Sequence, residues 1–105
     1  MDKAEALNIA CIYANAVKAN YNSVKIILFG SYAKGNFNED SDIDIAVILK
    51  DFNDVIEMQL ELMRLRRKID SRIEPHPFRE KDFVLSNPVA NEIIKYGQEL
   101  KTNVD

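Results

Sequence analysis

The stretch Phe29-Gly-Ser-Tyr-Ala-Lys-Gly35, followed after a short loop by Asp40-Ser-Asp-Ile-Asp-Ile-Ala-Val47, decides the fold of this chain. Its first part ends an apolar run at Gly30, and its second part alternates two aspartates with apolar residues. Aspartate is disfavoured in strands, yet Asp42 and Asp44 stand in a pattern that otherwise predicts one. Because a strand has a period of two, both carboxylates point the same way. Function, rather than folding, explains their presence.

The sequence around this motif predicts alternating helices and strands. Pro75 and Pro77 cannot donate ladder hydrogen bonds, so we predict that their strand lies at a sheet edge or that the prolines lie at its own irregular end. The pattern predicts a helix over 3–21, a strand over 24–29, a helical turn over 31–35, a strand over 42–49, a helix to residue 69, a strand over 71–78 and a helix from 88 that ends at Gly97. These elements indicate an α/β (α+β) fold, a small mixed sheet with helices on one face and the carboxylates on the other.

Local signals mark where two of the helices begin. Asp51 or Asn53 can cap the helix that ends near residue 69, and Asn87 can cap the last helix, with Pro88 in its first turn. After that last helix, only the tail from about Thr102 is predicted to be loose.

Composition limits the class of protein. The chain has 105 residues, 47% hydrophobic and 30% charged, which is typical of one globular domain. No segment approaches the roughly 18 apolar residues of a membrane span, and the start is acidic where a secretory signal would be basic. The net charge of −3 gives no general attraction to nucleic acid. We expect a cytoplasmic protein with no membrane partner and no direct nucleic-acid partner.

The residues of the motif suit phosphate and metal chemistry. Gly30 allows a close backbone approach, and Ser31 adds a hydroxyl and an amide, so both favour bound phosphate. Paired carboxylates at 42 and 44 repel each other unless a cation intervenes, and hard oxygen ligands suit Mg²⁺ or Mn²⁺. Glu74 on the neighbouring predicted strand is the candidate third carboxylate, with Asp70 as the alternative. Lys34 can reach a phosphate or can be an exposed loop lysine.

The helix over 55–69 carries two apolar lines. The inner line consists of Val55, Met58, Leu62, Leu65 and Ile69, and the outer line consists of Ile56, Leu60 and Met63. One line suits burial against the sheet, and the second widens the apolar surface so that part of it can meet another subunit, which would make a homo-oligomer. The basic cluster at its end is either a solvated face or a binding patch.

The motif of residues 29–35 and 40–47 resembles the signature of the nucleotidyltransferase superfamily with the DNA polymerase β palm fold. The short chain resembles the minimal, MNT-type branch of that superfamily, with residues 1–105 forming one minimal nucleotidyltransferase domain. The resemblance implies that Gly30 and Ser31 hold the β- and γ-phosphates of a nucleoside triphosphate. It implies that Asp42 and Asp44 bind two divalent ions. Glu74 would stand where a third acid assists the metal and activates the acceptor hydroxyl.

The same resemblance implies a biological role. The minimal branch is similar to antitoxins that are encoded beside a HEPN ribonuclease toxin and transfer AMP from ATP to a toxin tyrosine. Two alternatives remain open. The chain can neutralise its partner by direct binding while its nucleotide site is regulatory, or it can transfer a nucleotide to a small molecule or an RNA end.

Overall fold

The computed structural model describes residues 1–102 and confirms the predicted order of elements. Its α-helices and strands are α1 (Lys3–Asn20), β1 (Ser23–Phe29), α2 (Ser31–Lys34), β2 (Ile43–Leu49), α3 (Val55–Arg66), β3 (Ile73–Arg79), α4 (Pro88–Tyr96) and β4 (Gln98–Glu99). A short 3-10 helix over Glu80–Asp82 lies between β3 and α4. Helix α3 ends three residues before the predicted boundary. Apart from Thr102 itself, the predicted loose tail lies outside the described residues. Within residues 1–102, no helix combines the length and apolar character that a membrane crossing requires.

The four strands form one mixed sheet in the order β3-β2-β1-β4. Strand β1 pairs antiparallel with β2 and with β4, whereas β2 and β3 run parallel. The predicted edge position of the proline-containing strand is confirmed, because β3 has a neighbour on one side only. Strand β4 was not predicted, since two residues are too few to show a periodic pattern.

The start of α3 corrects one prediction. The capping residue is Asp54, whose Oδ1 accepts the backbone N–H groups of Ile56 at 2.8 Å and Glu57 at 3.1 Å. Asp51 is engaged elsewhere, because its carboxylate lies 3.1 Å from Nε of Arg79. The predicted cap of α4 is confirmed.

Helices cover both faces of the sheet. Helices α1 and α3 pack on the face that carries Leu28 and Ile45, and the buried Tyr13 hydroxyl of α1 donates to the Leu62 carbonyl of α3 at 2.7 Å. Helix α4 places Ile93 against Ala46 and its neighbours on the opposite face. The mixed sheet with packed helices is confirmed, but the carboxylate face is partly covered by α4 and is not bare.

The two apolar lines of α3 have different surroundings. Leu62 is fully buried, and Met58 and Leu65 pack against the same core. Ile56 and Leu60 on the outer line are 71% and 48% exposed. The inner line from Met58 onward therefore belongs to the core, and Ile56 and Leu60 form an exposed apolar surface in this single chain. Self-association through α3 stays a prediction.

Candidate functional site

Gly30 and Asp44 lie in direct contact at the end of β1. Phe29 pairs with Asp44 across the antiparallel strands, so the turn at Gly30 passes beside the carboxylate. Gly30 has φ +74° and ψ −150°, a conformation that essentially only glycine adopts. A Cβ atom at this position would lie 2.3 Å from Oδ2 of Asp44. Glycine is thus required both by the backbone and by the neighbouring carboxylate.

Helix α2 is only one turn long, and a buried side chain fixes its position. Tyr32 is fully buried, and its ring stacks on Phe37 with 4.6 Å between the ring centres. Gly35 ends the turn in the left-handed region, with φ +87°. Ser31 is half-buried at the first position of α2, directly after Gly30. The predicted phosphate-binding residues therefore sit on an anchored segment.

The paired aspartates stand where β2 begins. Asp42 is exposed and directly precedes the strand. The strand begins at Ile43, one position later than predicted. Asp44 is half-buried, between the fully buried Ile43 and Ile45. The extended backbone of β2 directs the side chain of Asp44 to the face opposite that of Ile43 and Ile45.

Glu74 lies beside Asp44 on the neighbouring strand. The two residues are register partners in the parallel β2/β3 pair, so their side chains share a face. Oε2 of Glu74 lies 3.8 Å from Nη1 of Arg66, which donates to the Ile73 carbonyl at 2.8 Å. Among residues 1–102, three or more His, Cys, Asp or Glu side chains do not come together as a metal-binding group. The assignment of Glu74 as third ligand stays a prediction.

Asp70, the alternative third carboxylate, has a structural partner. Both of its carboxylate oxygens accept from the Arg72 side chain, at 2.9 Å and 2.6 Å, and one also accepts the Arg72 backbone N–H at 2.9 Å. These hydrogen bonds from Arg72 lower the pKa of Asp70, against the opposing effect of burial. The pair stabilises the turn that leads into β3.

His76 contacts the candidate site, although its position beside Glu74 on one side of the strand favoured a structural role from sequence alone. Its Nε2 lies 3.3 Å from Oδ1 of Asp44, and its ring meets Phe29 edge to face with 5.0 Å between the centres. His76 follows Glu74 by two residues on the same face of β3. The period of two on β3, combined with parallel pairing to β2, is the signal that could have placed it.

Lys34 points from α2 toward α4. Its Nζ forms an ion pair with Glu92 and lies 5.3 Å from the centre of the Tyr96 ring. A cavity of about 140 Å³ occupies this junction and is lined by Phe29, Gly30, Lys34, Val89, Glu92, Ile93 and Tyr96. Lys34 is therefore beside the Gly30 turn, but it is paired with a carboxylate that the sequence did not connect to the motif.

The family model of the nucleotidyltransferase domain matches residues 10–101. The chain belongs to the nucleotidyltransferase domain family. Two proteins of Methanocaldococcus jannaschii, both candidate protein adenylyltransferases, are similar to this nucleotidyltransferase. One is 46% identical over 54 residues, which are 49% of this chain and 54% of that protein. The other is 30% identical over 79 residues, which are 72% of this chain and 77% of that protein. The match with the first thus spans about half of its length.

Solved structures carry the same fold. A candidate nucleotidyltransferase from Sulfolobus solfataricus superposes with a TM-score of 0.70 at 20% identity, over 92% of this chain and 80% of that chain. A chain of a toxin–antitoxin complex with AMP-PNP superposes with a TM-score of 0.66 at 31% identity, over 91% of this chain and 74% of that chain. A chain of the tri-AMPylated Shewanella oneidensis HEPN toxin in complex with MNT antitoxin superposes with a TM-score of 0.60 at 26% identity, over 96% of this chain and 73% of that chain. The predicted fold, enzyme class and MNT-type resemblance are confirmed at the level of the family.

Proposed function

We propose that this nucleotidyltransferase transfers AMP from ATP to a tyrosine hydroxyl of a HEPN toxin and so acts as its antitoxin. The contact between Gly30 and Asp44 carries the proposal, because it places the turn that we propose to bind phosphate beside a carboxylate at the end of one strand pair. The similar M. jannaschii proteins and the toxin–antitoxin complexes support the acceptor class. We propose one domain over residues 1–105, working in the cytoplasm.

The donor set suits divalent metal ions. Asp42 and Asp44 offer hard carboxylate oxygens two positions apart, and the missing side chain at residue 30 leaves room at Asp44 Oδ2. We propose that Asp42 and Asp44 hold two Mg²⁺ or Mn²⁺ ions, with Glu74 as the third ligand. When bound, such ions neutralise the charge that develops on phosphate oxygens during transfer. The residues of the chain would hold these ions beside the phosphate groups.

The transfer is an in-line displacement at the α-phosphorus. The acceptor oxygen forms a bond to that phosphorus, and the bond from phosphorus to the bridging oxygen breaks. Pyrophosphate leaves with the electron pair, and the hydroxyl proton passes to a carboxylate, for which Glu74 is the candidate. Gly30 and Ser31 hold the β- and γ-phosphates, so the α-phosphorus stands near Asp44.

Intact-mass measurement tests this proposal directly. The protein encoded beside this chain, which we expect to be a HEPN toxin, is incubated with the nucleotidyltransferase, ATP and Mg²⁺, and its mass and ribonuclease activity are followed. We expect the toxin to gain the mass of one or more AMP groups and to lose ribonuclease activity. Labelled nucleotide on RNA or on a small hydroxyl compound, without a protein partner, would instead support transfer to that acceptor.

Neutralisation by contact is the second candidate, and the outer line of α3 favours it. Ile56 and Leu60 are exposed apolar side chains on one helix, which is typical of surfaces that bind a partner. In that case the toxin is inhibited but keeps its unmodified mass. Replacing both residues by glutamate would then restore ribonuclease activity, whereas inhibition by covalent transfer persists after the two proteins are separated.

A further inference from the structure

We propose that Glu92 of α4 lowers the affinity of this protein for ATP by competing with the triphosphate for Lys34. Glu92 lies far along the chain from the nucleotidyltransferase motif and acts through Lys34, so it is a positioning residue. The inference rests on the proposed nucleotide site and deepens it, because it names what regulates nucleotide binding there.

The geometry gives Lys34 two alternative partners. It is the last residue of α2, three positions after Ser31, and its backbone N–H donates to the Gly30 carbonyl at 3.0 Å. Its ammonium group is nonetheless bound to Glu92, and the Tyr96 ring lies on the same side. A lysine that holds Glu92 is not free to hold a phosphate beside Gly30.

Helix α4 keeps Glu92 in place. The adjacent Ile93 is 2% exposed and packs on Ile27 of the sheet. At the end of the helix, a Cβ atom on Gly97 would lie 2.6 Å from the Ile27 side chain and 3.2 Å from the Leu28 carbonyl, so the chain passes tightly over β1. The backbone of Glu92 is therefore held on a packed helix near the Gly30 turn, and not on a free loop.

The ion pair is weak enough for a triphosphate to displace. The side chains of Lys34 and Glu92 are 36% and 58% exposed, and exposed ion pairs add little to stability. A triphosphate offers several negatively charged oxygens and outcompetes one carboxylate for the ammonium group. AMP has no β- or γ-phosphate, so it gains nothing when Lys34 is released. Glu92 thus reduces the preference for ATP over AMP.

Binding of a non-hydrolysable ATP analogue and of AMP, measured by calorimetry, tests the inference. We expect Glu92→Gln to tighten binding of the ATP analogue by about two- to fivefold, the range that an exposed ion pair supports, and to leave AMP affinity unchanged. In a Lys34→Met background the Glu92→Gln effect disappears. With ATP and the toxin, Glu92→Gln lowers KM for ATP and leaves kcat unchanged.

Glu99→Gln is the matched control. Glu99 is also exposed and pairs with a lysine, with Oε1 lying 3.9 Å from Nζ of Lys25, and its loss changes the net charge equally. We expect this variant to bind the ATP analogue like the wild type. An equal gain in both variants, or unchanged or weaker binding in Glu92→Gln, overturns the inference.

The result also separates this inference from the proposed function. If the wild type modifies the toxin and Glu92→Gln binds ATP no better, the inference alone is wrong. If the wild type binds no ATP analogue, both are wrong.

Discussion

At the scale of single residues, Gly30 has the least freedom to change. Its backbone conformation alone costs another residue about 1–3 kcal/mol, and a Cβ atom would also meet Oδ2 of Asp44 at 2.3 Å. We therefore expect Gly30→Ala to lower the free energy of unfolding by more than the backbone cost alone, measured by chemical denaturation. It should also weaken ATP binding, because the turn must shift away from Asp44.

Gly35→Ala is the matched control for this prediction. Gly35 also has positive φ, but a Cβ atom there would meet no atom within 4 Å, so only the backbone cost applies. In an Asp44→Ala background, the loss caused by Gly30→Ala should become smaller. Equal losses for the two glycine variants would show that the contact with Asp44 has no energetic weight.

The pair of Asp70 and Arg72 predicts a pH dependence of stability. Hydrogen bonds from Arg72 lower the pKa of Asp70 in the folded state below its unfolded value. The stabilisation is therefore present above the unfolded pKa, near 3.9, and is lost as the pH falls through the lower folded pKa. We expect the difference in free energy of unfolding between the wild type and Asp70→Asn to shrink from pH 7 to strongly acid pH. Arg72→Met should remove that pH dependence. With Arg72 present, a difference in free energy of unfolding that stays constant with pH would contradict the assignment.

At the scale of secondary structure elements, the cap of α3 is open to a direct test. Asp54 accepts two backbone N–H groups of the first turn, so Asp54→Ala should cost about 0.5–2 kcal/mol of unfolding free energy. Asn53→Ala is the control, since the contact of Asn53 with Arg79 is made by its backbone carbonyl. Urea denaturation of both variants measures the difference. A larger loss for Asn53→Ala would mean that the helix begins elsewhere.

Local signals explain which elements could be predicted from sequence. The start and end of α4 follow from Asn87, Pro88 and Gly97, which act on their own neighbours in the chain. The cap of α3 could not be chosen locally, because several polar residues precede the helix. Arg79 from β3 decides it by binding Asp51 and the Phe52 carbonyl.

The candidate site divides in the same way. Gly30, Ser31, Asp42 and Asp44 could be proposed from the sequence because their spacing along the chain is itself the signal. The contacts of Arg66 with Glu74, His76 with Asp44 and Lys34 with Glu92 join residues from separate elements. Only the pairing of β2 with β3 and the packing of α4 bring them together, and no local pattern records that packing.

At the scale of the whole molecule, the two faces of the sheet are covered to different extents. Helices α1 and α3 bury one face and form most of the core, while α4 covers part of the other and leaves Asp44, Glu74 and His76 half-buried. A partner that presents its own hydroxyl can approach that second face. The exposed outer line of α3 lies on the covered side of the sheet, where it is available for a separate contact.

The central claim is that Asp42 and Asp44, beside Gly30, form the centre of nucleotidyl transfer. Asp44→Asn and Asp42→Asn test it best, because asparagine keeps the shape and removes the charge. In the intact-mass assay with toxin, ATP and Mg²⁺, we expect either variant to add AMP at least about a hundredfold more slowly, with a wild-type melting temperature. AMP addition at the wild-type rate by both folded variants would contradict the account.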